Sequence, residues 1–229
     1  MLIGICGKKG VGKDTVADFL VKEYGFSKDA FAAPIKAACA EIFAIPLEVF
    51  HDQEQKETVD PFWERSPRQL LQEVGTDLFR QHMDSTIWVR SLERRYTRAL
   101  EQYGPDHRVC VSDVRFLNEA QCILDRGGKL LYIDRPEAPQ GDHHASETSV
   151  DEVRRMPNIG ILLNDGTVED LLDKTRAFLR TEGLPLNPPG RALYRVRVYR
   201  VTRYAYQWAA RWFHRLTFLH VFFQSSFYR

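Results

Sequence analysis

Residues 7–15 read Gly-Lys-Lys-Gly-Val-Gly-Lys-Asp-Thr. They stand between a short apolar run, Leu2 to Cys6, and an amphipathic pattern from Val11 to Tyr24. A strand feeding a glycine-rich loop that opens a helix leaves few folds available, and only that context makes the motif a phosphate-binding loop. Glycine lets the backbone curl until successive N–H groups point at one anion. The helix N-terminus adds partial positive charge, and Lys13 can reach the terminal phosphates. Gly7, Lys8, Gly10, Val11, Gly12, Lys13, Asp14 and Thr15 are therefore the expected nucleotide-phosphate residues. Asp14 occupies the place where a hydroxyl more often follows the lysine. Its carboxylate is expected to turn away, leaving Thr15 as the hydroxyl for a metal ion or a phosphate.

The rest of the chain alternates strands and helices. Apolar runs predict strands over Leu2–Cys6, Phe26–Ala32, Val109–Val114, Lys129–Asp134 and Ile159–Asn164. Helical patterns fill 12–24, 35–44, 67–82, 85–103, 116–126 and 167–181, the last opening on Thr167 with Asp170 three residues on. Gly127-Gly128 is expected to end the helix before the fourth strand. Such alternation predicts an α/β fold, a parallel sheet of about five strands with helices on both faces. Ligands of such sheets gather at the carboxyl ends of the strands. Residues 46–66 have no clean period and suggest a substrate-side insert, taken to span about 46–90. Pro185 to Gly190 is a rigid break, so the first domain is expected over 1–184.

Several groups fall where chemistry would need them. Asp113 and Arg115 end the third predicted strand: the acid can hold a metal shell or contact substrate, and the guanidinium can grip a phosphate. The plainer alternative is an ion pair at the rim of the sheet. Arg68, Gln72, Thr76 and Arg80 recur every four residues, with Asp77 beside them and Gly75 inside the helix. This stripe reads equally as a binding face or as a solvated one. Pro34 suits a first helical turn, and Lys36 beyond it faces either a ligand or water. The polar, proline-bearing stretch 135–147 suits a lid running to about residue 150, with Arg135 at its start. His143-His144 lacks partner ligands and reads as a surface pair rather than a metal site.

Composition excludes other classes. Cys6, Cys39, Cys110 and Cys122 are scattered without a CxxC pair. This suits a reducing compartment and argues against disulfide or zinc frameworks. No basic stretch followed by a long apolar run marks a signal peptide, so a cytoplasmic setting is expected. The formal charge of +1 hides an asymmetry, since residues 190–229 hold eight arginines and no acid. Residues 191–229 also hold 12 of the 27 aromatics, and arginines interrupt every window long enough to span a bilayer. This extension reads as a basic amphipathic helix for an anionic membrane or nucleic acid, or as a helix docked on this domain or on a second copy in a homodimer.

Taken in order, GKKGVGKDTVAD, FAAPIK, RQLLQEVGTDLFR followed by Trp88, DVRFLNEA, DRP, HASE and NDGTVEDL resemble the bacteriophage-type deoxynucleoside monophosphate kinases over roughly residues 2–180. The resemblance implies a P-loop NTPase three-layer sandwich of the nucleoside monophosphate kinase type. It also implies transfer of the γ-phosphoryl of ATP to a deoxynucleoside 5′-monophosphate with Mg²⁺, in a host cytoplasm if the source is viral. Carried over, the glycines, Lys13 and Thr15 hold ATP phosphates, with Thr15 and Asp113 on the metal side. Lys36, Arg68, Gln72, Thr76, Asp77 and Trp88 lie on the monophosphate side. Asp113 and Arg115 stand at the junction, with Arg135 and the stretch His144–Glu147 in the lid. Two alternatives stay open. One is a P-loop kinase of another phosphorylated metabolite, such as dephospho-coenzyme A or phosphomevalonate. The other is a nucleotide-dependent binding protein that uses the basic extension.

Overall fold

The computed structural model describes residues 1–136 and 145–184. The His143-His144 pair, the proline-rich break and the basic extension lie outside the described residues. Five parallel strands form one sheet: β1 (Leu2–Cys6), β2 (Ser27–Asp29), β3 (Val109–Val114), β4 (Lys129–Asp134) and β5 (Ile159–Leu163), in spatial order β2-β3-β1-β4-β5. β1, carrying the loop, is central, paired with β3 on one side and β4 on the other.

The helices are α1 (Lys13–Tyr24), α2 (Ala33–Phe43), α3 (Pro67–Gln72), α4 (Ile87–Tyr103), α5 (Leu117–Asp125), α6 (Ala145–Arg154) and α7 (Val168–Thr181). Strand alternation divides the core between the two faces of the sheet. Ile3, Ile5, Leu131 and Ile133 pack with Val16 and Leu20 of α1 and with Leu171 and Leu179 of α7. Leu2, Cys6, Leu130 and Tyr132 pack with Leu92 and Tyr96 of α4, Ile123 of α5, and Val150 and Val153 of α6. The result is the expected three-layer α/β sandwich. A third cluster, Ile35, Cys39, Ile45, Phe50 and Leu70, holds the insert against α2. All four cysteines are free and buried. Among the described residues, no helix is long and apolar enough to cross a membrane.

Caps fall where the sequence puts them. Thr167 accepts from the Asp170 amide, and the Asp170 carboxylate accepts from the Thr167 amide at 2.7 Å. Gly127 takes φ +68° after α5, and Pro34 sits in the first turn of α2.

Two elements depart from expectation, each for a visible reason. β2 stops at Asp29 rather than Ala32, because the amides of Phe31 and Ala32 donate to the Asp113 carboxylate instead of a ladder partner. The helix predicted over 67–82 is α-helical only to Gln72 and winds as a π-helix from Glu73 to Met83. Gly75 weakens the α preference there. Contacts from outside then hold the wider turn: Trp88 Nε1 donates to the Gly75 carbonyl at 2.9 Å, and Arg80 is bound to α5. Most of the span expected as a lid lies outside the described residues, and α6 beyond it packs Val150 and Val153 into the core.

Candidate active site

The phosphate-binding loop is built by backbone geometry. Gly7, Gly10 and Gly12 take φ of +136°, +75° and +102°, values that L side chains rarely adopt. A Cβ on Gly7 would also stand 2.6 Å from the Ile133 carbonyl oxygen, so only glycine fits. No side chain caps the N-terminus of α1, so its first-turn N–H groups face the loop. Lys13 Nζ lies across the loop, donating to the carbonyls of Gly7 at 2.9 Å and Lys8 at 2.5 Å. Val11 turns its side chain into the core, and its carbonyl accepts from Asn164 Nδ2 at 2.9 Å. Asn164, just past β5, thereby fixes the loop from outside. The sequence signal was present in the stretch NDGTVEDL but named no role for this asparagine.

The Asp14 carboxylate turns toward Lys28. Lys28 Nζ sits 2.9 Å from both Asp14 and Asp18. Burial opposes the charge of Asp14, yet the hydrogen bond and charge of Lys28 hold its carboxyl below the ordinary value. Lys8 reaches Asp151 on α6 at 3.2 Å.

Beside the loop a cleft of about 600 Å³ opens between the sheet edge and the insert. Gly10, Gly12, Lys13 and Thr15 form one end of it, so the loop and the cleft are continuous. Lys36, Arg68, Gln72, Thr76, Trp88, Asp113 and Arg115 line it, as do Phe31, Ile35, Phe50 and Leu71. The stripe at four-residue spacing is therefore a cleft wall. Eight lysines and arginines meet four carboxylates around this space, which suits an anionic ligand. Burial, the largest influence, holds the Lys36 ammonium below its usual value despite Asp113 and Asp14. Lys56, which the sequence did not single out, is pushed down to about 8 by burial first and then by Arg68 and Lys36.

Glu57 joins the two ends of the site. It accepts from Lys9 Nζ at 2.7 Å and from Arg68 Nε at 2.6 Å, tying the loop tip to α3. Asp113 holds the turn after β2 through both its oxygens, at 2.7 Å to the Phe31 amide and 2.9 Å to that of Ala32. It is thus a scaffold for the cleft floor as well as a cleft residue. Five expected residues do not line the cleft: Gly7, Lys8 and Val11 of the loop, and two others. Asp77 is exposed on the π segment and Arg135 is exposed after β4; neither lines the cleft. Besides Lys56, residues absent from the expected site that line it include Arg80, seen only as part of the stripe, and Glu119, whose burial hid it.

This geometry agrees with what the chain is similar to. The family described as deoxynucleotide monophosphate kinase matches residues 1–59 and 48–175. A protein of Acanthamoeba polyphaga mimivirus, provisionally named deoxynucleotide monophosphate kinase, is 41% identical over 180 residues, covering 74% of this chain and 91% of that protein. The deoxynucleotide monophosphate kinase of Enterobacteria phage T4 is 25% identical over 244 residues, covering 78% of this chain and 98% of that one. That of Escherichia phage RB69 is 26% identical over 117 residues, or 50% of this chain and 45% of its own. A phosphate-binding loop whose Gly7 admits no side chain, continuous with a cation-walled cleft, and family similarity running through both, lead to one assignment: this chain belongs to the deoxynucleotide monophosphate kinase family.

Proposed function

We infer that the protein transfers the γ-phosphoryl group of ATP to a deoxynucleoside 5′-monophosphate, giving the diphosphate. The observation that carries this reading is the continuity of two anion sites: the loop with Lys13 and Thr15 at one end, and the cleft with Lys36, Arg68 and Arg115. Phosphoryl transfer needs two anions held in line and their charge neutralised, with little covalent work from the protein. The loop amides and Lys13 hold the donor phosphates. Arg68, Arg115 and Lys36 gather the acceptor phosphate, with Gln72 and Thr76 as hydrogen-bonding neighbours and Phe31, Ile35 and Trp88 as apolar surface for the base and sugar. No general base is required, because the accepting phosphate oxygen is already ionised at neutral pH.

The donor set also fits a hard divalent cation. Thr15 offers a hydroxyl at the head of α1, and the oxygens of Asp113 keep lone pairs beyond the two amide bonds they accept. Mg²⁺ bound there would neutralise charge on the phosphate oxygens.

The test is ADP release with ATP and Mg²⁺ against the four deoxynucleoside monophosphates and their ribose counterparts, with dephospho-coenzyme A and phosphomevalonate as controls. Turnover with at least one deoxynucleotide, abolished by EDTA, is expected. Turnover with a control compound alone would overturn the reading.

A further inference from the structure

Glu119 is the most buried acid of the cleft, 2% exposed, and its carboxylate binds three groups from two different walls. Oε2 accepts the backbone N–H of Arg115 at 2.9 Å and of Phe116 at 3.2 Å, fixing the turn between β3 and α5. Oε1 accepts from Arg80 Nη2 at 2.6 Å, and Arg80 belongs to the π segment. Arg80 is held on its other sides as well. Its guanidinium lies 4.0 Å from the centre of the Phe116 ring, and Nη1 donates to Asn118 Oδ1 and to the Ser85 carbonyl, each at 3.3 Å. A paired, hydrogen-bonded carboxylate in so dry a place is costly to keep there for stability alone, and an apolar pair of similar volume often serves as well. Its geometry favours a role in placing what it touches.

Resting on the proposed kinase function, we propose that Glu119 is a positioning residue for the acceptor. It fastens the π segment, through Arg80, to the turn that carries Arg115, and so sets the distance between the two walls that grip the monophosphate. Gly75 and Thr76 line one side of that gap, while Asp113 and Arg115 line the other. The ATP end of the site is outside this linkage. None of the contacts named for Glu119 or Arg80 reaches the loop of residues 7–15. Loosening the linkage should therefore weaken acceptor use and leave ATP use intact.

Glu119→Gln separates positioning from simple stability. The amide carbonyl can still accept the N–H groups of Arg115 and Phe116, while its NH₂ faces Arg80 in place of a negative oxygen. Arg80→Met removes the same contact from the other side with the side-chain volume largely kept. In the full chain, each variant is expected to raise the acceptor KM by about tenfold, the scale of a lost charge-assisted hydrogen bond, with the ATP KM changed by less than about twofold. The double variant should be little worse than either single one, because both remove one linkage. Arg80→Lys, keeping a cation but not the fork, should recover part of the loss. Calorimetric titration of each variant with the preferred monophosphate, and separately with ATP, reads the same split without turnover. A lowered Tm with the acceptor KM unchanged, or equal damage to ATP and acceptor, would reduce Glu119 to a structural ion pair and overturn the proposal. Wild-type protein that neither binds nor phosphorylates any deoxynucleotide would instead remove the kinase reading on which the proposal rests.

Discussion

At the scale of single residues, the proposed function divides between side chains that would meet phosphate and those that would place them. Lys13 is half-buried in the loop and takes no part in any of the three core clusters. Lys13→Ala is accordingly expected to keep the wild-type Tm while losing about two to three orders of magnitude in turnover. Gly7→Ala acts through the backbone: φ +136° and the Ile133 carbonyl leave no room for a methyl group. A strained residue of this kind costs about 1–3 kcal/mol, so a thermal melt should fall alongside ATP binding. Arg68→Ala is expected to weaken acceptor use by on the order of tenfold to a hundredfold, measured as KM, with ATP affinity largely kept. Lys56 makes a pH prediction. Its ammonium is pushed from the ordinary 10.5 down to about 8, so the folded protein gives up this proton sooner than the unfolded chain does. Between those values the unfolded state binds more protons, and the contribution of Lys56 to stability therefore grows as pH rises. Acceptor binding should move the opposite way, with KM climbing as pH passes 8, since the cleft loses a cation there. In Lys56→Met that climb should flatten.

At the scale of elements, the strands and glycine-bounded turns were readable because they are local. β1, β3, β4 and β5 match the apolar runs that predict them to within a residue, and the Thr167–Asp170 cap stands as read. What could not be read is tertiary in origin. The shortening of β2 depends on Asp113, more than eighty residues away in sequence, capturing the amides that a strand would have used. The π winding of residues 73–83 depends on Trp88 and on Glu119, neither of which leaves a trace in the local pattern. The same reason explains the site. The loop was legible because strand, glycines and lysine are contiguous; the repeat of Arg68, Gln72 and Thr76 every turn fitted a solvated face as well as a cleft wall, and only the family resemblance favoured the wall. Lys56 lies in a stretch without a period. Glu119 sits on an amphipathic helix where its position reads as surface until the fold buries it. Asp77 shows the reverse, a polar neighbour of the stripe that the winding leaves outside.

At the scale of the whole molecule, the sheet order places β1 centrally, with its loop emptying into the cleft beside β3 and under the insert. The described residues up to 184 contain the five-stranded sheet and all three core clusters, and the family match ends at residue 175. Protein truncated after residue 184 is therefore expected to keep its turnover within about twofold of the full chain. A larger loss would give residues 185–229 a part in catalysis. The most direct test of the central claim is the ADP-release assay with ATP, Mg²⁺ and each deoxynucleoside monophosphate in turn. The two joined anion sites predict turnover that needs both nucleotides and is lost in Lys13→Ala. ATP bound tightly, with no deoxynucleotide accepted at any concentration, would contradict it.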